Sequence, residues 1–492
     1  MVRMRNTDSL NLALRDDLES QDLPAGESPG HLMPSVEESQ AFVRQKKEDN
    51  SEAQAGTVAQ AKTKGTSESQ AVGKGGDGAS GGTCPVSKEY NALIDKAWRN
   101  VYDPTPLGDL AALKNKYNCQ IKNPADAFRF VNQELSLTGD NYSKVLNPTQ
   151  VGQLERLMKG TNKGVGLEVI AVEPEKAKET GSLKVIEVIR GSSADKMGIK
   201  RGDYITTVDG VDLTTKRPEE AFALLQAQKT HEITVTREGK KIDLTLAQAE
   251  VDMPAVVDRK IPGTNIAYIR IRDFMQDDAS YEVQNAVKRY PYVDGFVFDV
   301  RGNLGGSVDQ ALQSASIVVG EGTLLTEKTR HADDSPNGPA HYDKTDYTLT
   351  EWELVKRDVL PDGRVTEKRD LRLADLVDKP TVVLVNGDTA SAAEIFAAAL
   401  QQNGDATLIG TKTFGKGIGQ TIFADQPAGS RLQVTNFRFF TPNGDWIGDA
   451  AKNRIGIKPD EEVENGKYAE PEAESDQQFR AAITAINKKL GK

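Results

Sequence analysis

The chain has 492 residues, with 62 Lys and Arg against 73 Asp and Glu, a formal net charge of −11. That balance argues against a general nucleic-acid binder, which needs a basic stripe for phosphates. Two cysteines exclude a disulfide-rich scaffold and any four-cysteine zinc module. The length allows roughly three domains. A mean hydropathy of −0.52 predicts that part of the chain stays outside any packed core.

Residues 1–83 are rich in Ser, Gln, Glu, Lys, Ala and Gly, nearly free of aromatics, and end in a glycine-rich run from Val72 to Gly82. Such a segment buries too little apolar area to offset its ordering entropy, so a disordered tail is expected, with a weak amphipathic helix near Leu10 to Leu18. No apolar run approaches the roughly 18 residues of a membrane span. Arg15, Asp16 and Asp17 interrupt the start before any export-signal core forms, and taken alone the chain reads as cytoplasmic.

From Ser87 to about Leu157 the pattern is helical. Tyr90, Leu93, Ile94, Ala97 and Trp98 recur at spacings of three and four. Asn123 and Pro124 open a second helix through Ala127, Phe128, Phe130 and Val131. Cys84 lies just before this region and Cys119 within it, and both are expected as free thiols, a disulfide requiring an oxidising compartment.

Residues 163–249 read as strands with two short helices. The glycine turn Gly164, Val165, Gly166, Leu167 feeds a strand, and Lys184 to Ile189 is a second. Ser193 to Gly198 is a short helix with a glycine stop, Gly202 to Gly210 is a strand ending in an Asp-Gly turn, and Pro218 to Ala227 is a helix. This order resembles a PDZ domain. The resemblance implies that a partner's C-terminal tail adds as a strand, its carboxylate held by the Gly164, Val165, Gly166, Leu167 loop. Gln226 to Thr230 departs from the pattern, which usually has a glycine turn there.

From Ile261 to Val463 strands alternate with helices, an α/β arrangement. Asn265 to Ile271, Gly295 to Val300 and Thr381 to Val385 are strands. Ser280 to Arg289, Ser307 to Val319 and Ala392 to Gln402 are helices. The polar interval 321–378 is long for a connection and reads as an insertion or lid. Residues 467–476 read as an acidic linker before a helix from Phe479 to Leu490.

Three segments carry chemistry. At Ser391 a strand turns sharply into a helix, placing a hydroxyl beside helix N–H groups that could stabilise an oxyanion. The same residues, Ser391 to Glu394, also form a capping box. Lys416 sits among Gly415 and Gly417 after another strand. Gly410 to Lys416 nearly matches a phosphate-binding loop, but Gly417 stands where a magnesium-holding hydroxyl belongs. The third is the turn from Asp299 to Gly306, either a tight strand-to-helix turn or a backbone donor aimed at an oxyanion. His331, Asp333, Asp334, His341 and Asp343 could hold a metal, but a solvated loop with no metal is the reading adopted.

Together, Thr389 to Ile395, Thr413 to Gly417 with Gln420, Phe437 to Ile447 and Gly456 to Asp460 resemble the tail-specific, or C-terminal processing, serine peptidases over about residues 84–490. Leu304 stands where proline is common. Ser391 and Lys416 are 25 residues apart, and Gln420 lies four further on. The resemblance implies Ser391 as nucleophile, Lys416 as general base, Gln420 as the residue orienting it, and the N–H groups of Ala392 and Gly305 or Gly306 as oxyanion hole. Lys416 must then be neutral, with Ile409, Phe414 and Ile418 as candidates for desolvating it. No cofactor is implied.

The expected fold class is therefore α/β and multidomain. It comprises a disordered tail (1–83), a helical segment (84–160), a PDZ domain (161–250), and a crotonase/ClpP-like peptidase core (251–464). An acidic linker and C-terminal helix (465–492) close the chain. The implied partners are polypeptides with apolar, unstructured C-termini, and homo-oligomerisation through the N-terminal helices is a further expectation. Relatives of this kind are usually exported, in conflict with the missing signal. The competing reading is a PDZ scaffold on an inactive core.

Overall fold

The computed structural model describes residues 3–4, 86–331, 341–372 and 377–492. The glycine-rich tail, its candidate helix and Cys84 lie outside these residues, except that Arg3–Met4 form strand β1. Helix α1 (Lys88–Asn100) opens at Ser87, whose side chain accepts from Tyr90 N–H, and buries the Tyr90, Leu93, Ile94, Ala97 face. Helices α2 (Leu110–Leu113) and α3 (Pro124–Leu135) follow, then β2 (Lys144–Leu146) and α4 (Pro148–Met158). The helices pack around Phe130 and Val131 against Leu432 and Val434, nearly 300 residues onward. Cys119 is disulfide-bonded, which corrects the expectation of a free thiol at that position.

The next unit comprises β3 (Thr161–Gly164), β4 (Leu167–Ala171), α5 (Pro174–Thr180), β5 (Leu183–Val188), α6 (Ser193–Lys196), β6 (Tyr204–Val208) and β7 (Val211–Asp212). Helix α7 (Pro218–Ala227), β8 (Thr230–Arg237), β9 (Lys240–Ala247) and β10 (Ala249–Asp252) complete it. The sheet runs β1-β4-β5-β6-β8-β9 with β7 on β6, and β3 pairs with β10 apart from it. Val169, Val185, Ile205 and Val235 meet Ala221 and Leu225 of α7 in one core. Helix α5 is additional to the two short helices expected. It is a short Lys- and Glu-rich turn that buries only Ala177, so it lacks an apolar stripe to read. At the outer edge of β4, β1 pairs antiparallel, Arg3 opposite Ile170 and Met4 opposite Val169.

The remainder is built on β11 (Val256–Lys260), β12 (Ile266–Ile271), α8 (Ala279–Lys288), β13 (Gly295–Asp299) and α9 (Val308–Ala315). Then come β14 (Gly322–His331), β15 (His341–Leu349), β16 (Glu353–Val359), β17 (Val365–Leu371), β18 (Thr381–Val385) and α10 (Ala392–Gln402). The last elements are β19 (Thr407–Gly410), β20 (Ile418–Phe423), β21 (Arg431–Phe440), β22 (Glu461–Glu462) and α11 (Gln477–Lys489). The central sheet runs β11-β12-β13-β18-β19-β22 and is parallel from β12 onward. Its inner strands β13, β18 and β19 are almost wholly buried, as a covered parallel sheet requires. Phe296, Phe298, Val383 and Val385 face Val283, Leu312 and Phe396. Val297, Val382 and Leu384 face Phe479, Ala482 and Ile486 of α11.

Two expectations are corrected here. The polar interval 321–378 is an antiparallel meander, β17-β16-β15-β14, that continues through β21 to β2. Its polarity reflects an edge strand: β17 is almost wholly exposed, and its charges pair across the sheet, as Arg369 does with Glu353 at 2.8 Å. Residues 332–340 and 373–376 of the interval lie outside the described ones. The acidic 467–476 segment is a tie between units and not a free linker. Glu470 pairs with Lys184 at 2.5 Å, Glu472 with Arg201 and Arg259, and Asp476 with Arg301 at 2.8 Å. A second tie is the buried bidentate pair of Arg270 on β12 with Glu168 on β4, at 2.7 and 3.1 Å. Among the described residues no helix is long and apolar enough to cross a membrane.

Candidate active site

Three adjacent parallel strands, β13, β18 and β19, end on the same side of the sheet, where open α/β sheets form clefts. Their loops hold Asp299–Gly306, Gly387–Ser391 and Thr411–Gly417, so residues distant in sequence converge. The first two loops are sewn together by Ala390 N–H to Asn303 O (2.9 Å), Thr389 Oγ1 to Val300 O (2.9 Å) and Gly302 N–H to Asn386 Oδ1 (2.9 Å). Phe414 N–H, donating to Thr389 O at 2.9 Å, adds the third.

Ser391 lies between β18 and α10 at φ 56°, ψ −122°. That conformation is unfavourable for a residue with a β-carbon and is held only because its surroundings over-determine it. It turns the chain sharply enough to present the side chain at the sheet's end. Gly305, at φ +99°, lies directly against it: a β-carbon there would come within 2.8 Å of Ser391 Cβ and 2.9 Å of Ala392 N. The Gly305 N–H donates to Asn303 Oδ1 at 2.8 Å. Gly306 and Ala392 have N–H groups with no acceptor among the described residues. In the Asp299–Gly306 turn it is therefore the Gly306 N–H, not the Gly305 N–H, that has no acceptor among the described residues, as at Ala392.

Lys416 is held at both ends. Its Nζ donates to Gln420 Oε1 at 3.2 Å, and Gln420 Nε2 donates to Thr435 Oγ1 at 2.9 Å. The ring of Tyr142 lies 4.1 Å from the amine. Burial, opposed by the Asp140 and Glu394 carboxylates, lowers the amine to about 8. At its backbone, Lys416 N–H donates to Glu394 Oε2 at 2.8 Å, and that same oxygen accepts from Ser391 N–H at 2.9 Å. The other oxygen, Oε1, accepts from Thr413 Oγ1 at 2.6 Å and Gly415 N–H at 2.7 Å. One buried carboxylate thus grips the Ser391 loop and the Lys416 loop together. It also fills the N–H groups that a phosphate would need at Gly415 and Lys416, so the Gly410 to Lys416 run has no nucleotide cradle.

The segments after β21 brace the lysine loop. Gly417 N–H donates to Gly448 O at 2.7 Å, Trp446 Nε1 to Gly417 O at 2.9 Å, and Ile457 N–H to Thr413 Oγ1 at 2.7 Å. Of the residues expected to desolvate Lys416, Ile409 packs in the α11 cluster on the sheet's other face. Phe414 lies under the Arg454 guanidinium, and Ile418 is buried. Beneath the site, Arg301 joins Asp299 and Asp476 in a buried ion-pair network.

The tail-binding candidates fall at the start of β4. Gly164 ends β3 opposite Ala249, Val165 is buried, and Leu167 begins β4. Gly166, at φ +85°, must be glycine, since a β-carbon would meet Ser192 Cβ at 2.1 Å. The missing glycine after α7 has a structural explanation: Gln228 leaves the helix in extended geometry, φ −130°, ψ 161°.

Sequence reasoning overlooked Tyr142, Asn303 and the reach of Glu394. Glu394 had a signal, the capping box, but its contact with Lys416 joins positions 22 apart. The side chain of His331, with Asp333 and Asp334, lies outside the described residues.

The chain is similar to known proteins in both of its larger units. Residues 265–463 match the model of peptidase family S41, and residues 184–237 match a PDZ domain model. A carboxyl-terminal-processing protease of Picosynechococcus sp. is 31% identical over 376 residues, covering 74% of this chain and 80% of that one. The protein of the same name from Synechocystis sp. is 29% identical over 386 residues, covering 76% and 80%. A solved structure of a putative S41 protease from Bacteroides fragilis superposes with a TM-score of 0.50 at 17% identity. It covers 81% of this chain and 97% of that one, a likeness of fold.

Proposed function

The chain belongs to peptidase family S41 and is a carboxyl-terminal-processing serine peptidase with a PDZ domain, and on that premise we propose that it cleaves polypeptides with a Ser391–Lys416 dyad after capturing an apolar C-terminal tail. The observation that carries this reading is the grip of Glu394 on the backbones of both Ser391 and Lys416.

Lys416, neutral once deprotonated, takes the Ser391 Oγ proton as the oxygen attacks the peptide carbonyl. The N–H groups of Ala392 and Gly306 hold the oxyanion of the tetrahedral intermediate. Lys416 returns the proton to the leaving amine, and water, deprotonated by the same amine, hydrolyses the acyl-enzyme. Gln420 keeps the amine in line through its Oε1. The β4 edge next to Gly164, Val165, Gly166 and Leu167 takes the substrate tail as an added strand.

The test is cleavage of an unstructured protein ending in apolar residues by the wild type, Ser391→Ala and Lys416→Ala. The proposal requires both variants to lose cleavage with folding intact. Equal cleavage by all three would assign the chemistry to another nucleophile.

A further inference from the structure

The Lys416 amine is touched by a residue far outside the 265–463 stretch. Tyr142 lies in the turn between α3 and β2, with its ring centroid 4.1 Å from Nζ. The turn is built to hold it there. Gly139 takes the left-handed conformation at φ +71°. Asp140 Oδ1 accepts the Tyr142 N–H at 2.8 Å, and Asp140 Oδ2 accepts from Ser143 Oγ.

The turn is then pinned to β21. Gln433 Nε2 donates to Tyr142 O at 2.8 Å, and Thr435 N–H donates to Ser143 Oγ at 2.9 Å. Thr435 also accepts the Gln420 amide through Oγ1 at 2.9 Å. The two groups on the amine, the Gln420 oxygen and the Tyr142 ring, therefore share one anchor. An aromatic face attracts an ammonium and fixes its position without offering it an acceptor.

Resting on the dyad reading, we propose that Tyr142 is a positioning residue of the active site, its ring face holding Lys416 Nζ in register with Gln420, so that the N-terminal helical segment is part of the catalytic apparatus. The charged groups acting on the amine are the Asp140 and Glu394 carboxylates, both left in place by substitution of the ring.

The test is the pH profile of kcat/KM for the wild type, Tyr142→Leu and Tyr142→Phe, with Ser391→Ala and Lys416→Ala as controls and thermal melting to check folding. Leucine keeps apolar cover over the amine but removes the aromatic face. The acid limb should then move down by about one pH unit as the ammonium loses its stabilisation. The plateau kcat should fall on the order of tenfold, with KM unchanged, from the looser amine. Phenylalanine should restore the limb and most of the plateau. A wild-type limb and plateau in a folded Tyr142→Leu would overturn the inference, as would a Tyr142→Phe as impaired as Tyr142→Leu. If Ser391→Ala and Lys416→Ala kept cleaving, the dyad reading itself would fall, a result distinguishable from either.

Discussion

Gly305 stands so close to Ser391 that a β-carbon on the glycine would lie 2.8 Å from the serine's own β-carbon. The Asp299–Gly306 turn and the Ser391 loop are in backbone contact, and only glycine permits the approach. Gly305→Ala must therefore push the two loops apart and shift the neighbouring Gly306 N–H. A loss of about 10²–10³ in kcat is expected, as for removal of an oxyanion donor. Steady-state kinetics beside a melting curve would show it, and an alanine variant with normal kcat would separate this turn from catalysis.

The lowered Lys416 value fixes a sign for activity. Below about pH 8 the amine is protonated and cannot accept the serine proton, so kcat/KM should rise with pH and level off above that value. The sign for stability follows by linkage. Between pH 8 and the unfolded lysine value of 10.5 the unfolded chain binds more protons, so stability falls as pH drops through this window and is then constant. Lys416→Met removes the penalty and should stabilise the protein at pH 7 by about 3 kcal/mol. Denaturant unfolding at pH 7 and pH 10 would check both the sign and its disappearance at high pH.

Glu394 accepts four hydrogen bonds from backbone and side-chain donors. Glu394→Gln turns one acceptor into a donor facing other donors. A stability loss of about 2–4 kcal/mol is expected, with a fall in kcat and little change in affinity for a tail peptide. Activity and peptide binding measured on the same preparation distinguish this from global damage.

Arg270 and Glu168 join the central sheet to the strand beside the tail loop. Arg270→Met leaves the buried Glu168 carboxylate only its 3.6 Å ion pair with Arg272, a loss of about 3 kcal/mol, and adding Glu168→Met should recover part of it, since Arg272 then loses its own partner. A double-mutant cycle in urea measures the coupling. Additive losses would mean that the pair does not act as a unit.

The outer edge of β4 is paired with Arg3–Met4, where a substrate tail would add as a strand. Removing residues 1–6 should tighten binding of an apolar tail peptide, seen as a lower Kd by calorimetry. An unchanged Kd would place the tail elsewhere.

How much was legible follows from the range of each interaction. Strand and helix periodicity, the glycine turns and the Ser391, Lys416, Gln420 spacing are local patterns, and they singled out the three loops that converge at the sheet's end. In the 321–378 meander β17 hid because, as an edge strand, it is exposed on both faces. The acidic 467–476 segment hid because its charges are matched by Lys184, Arg201, Arg259 and Arg301, up to 286 residues away. By itself the sequence determined which side chains are candidates for attack, proton transfer and tail binding. Tertiary structure alone decided that Gly306 rather than Gly305 has an N–H to offer, that Glu394 grips both halves of the dyad, and that Tyr142 covers the amine. The physical reason is that hydrogen bonds and desolvation depend on distance in space, and nothing in a linear spacing records which strands become neighbours.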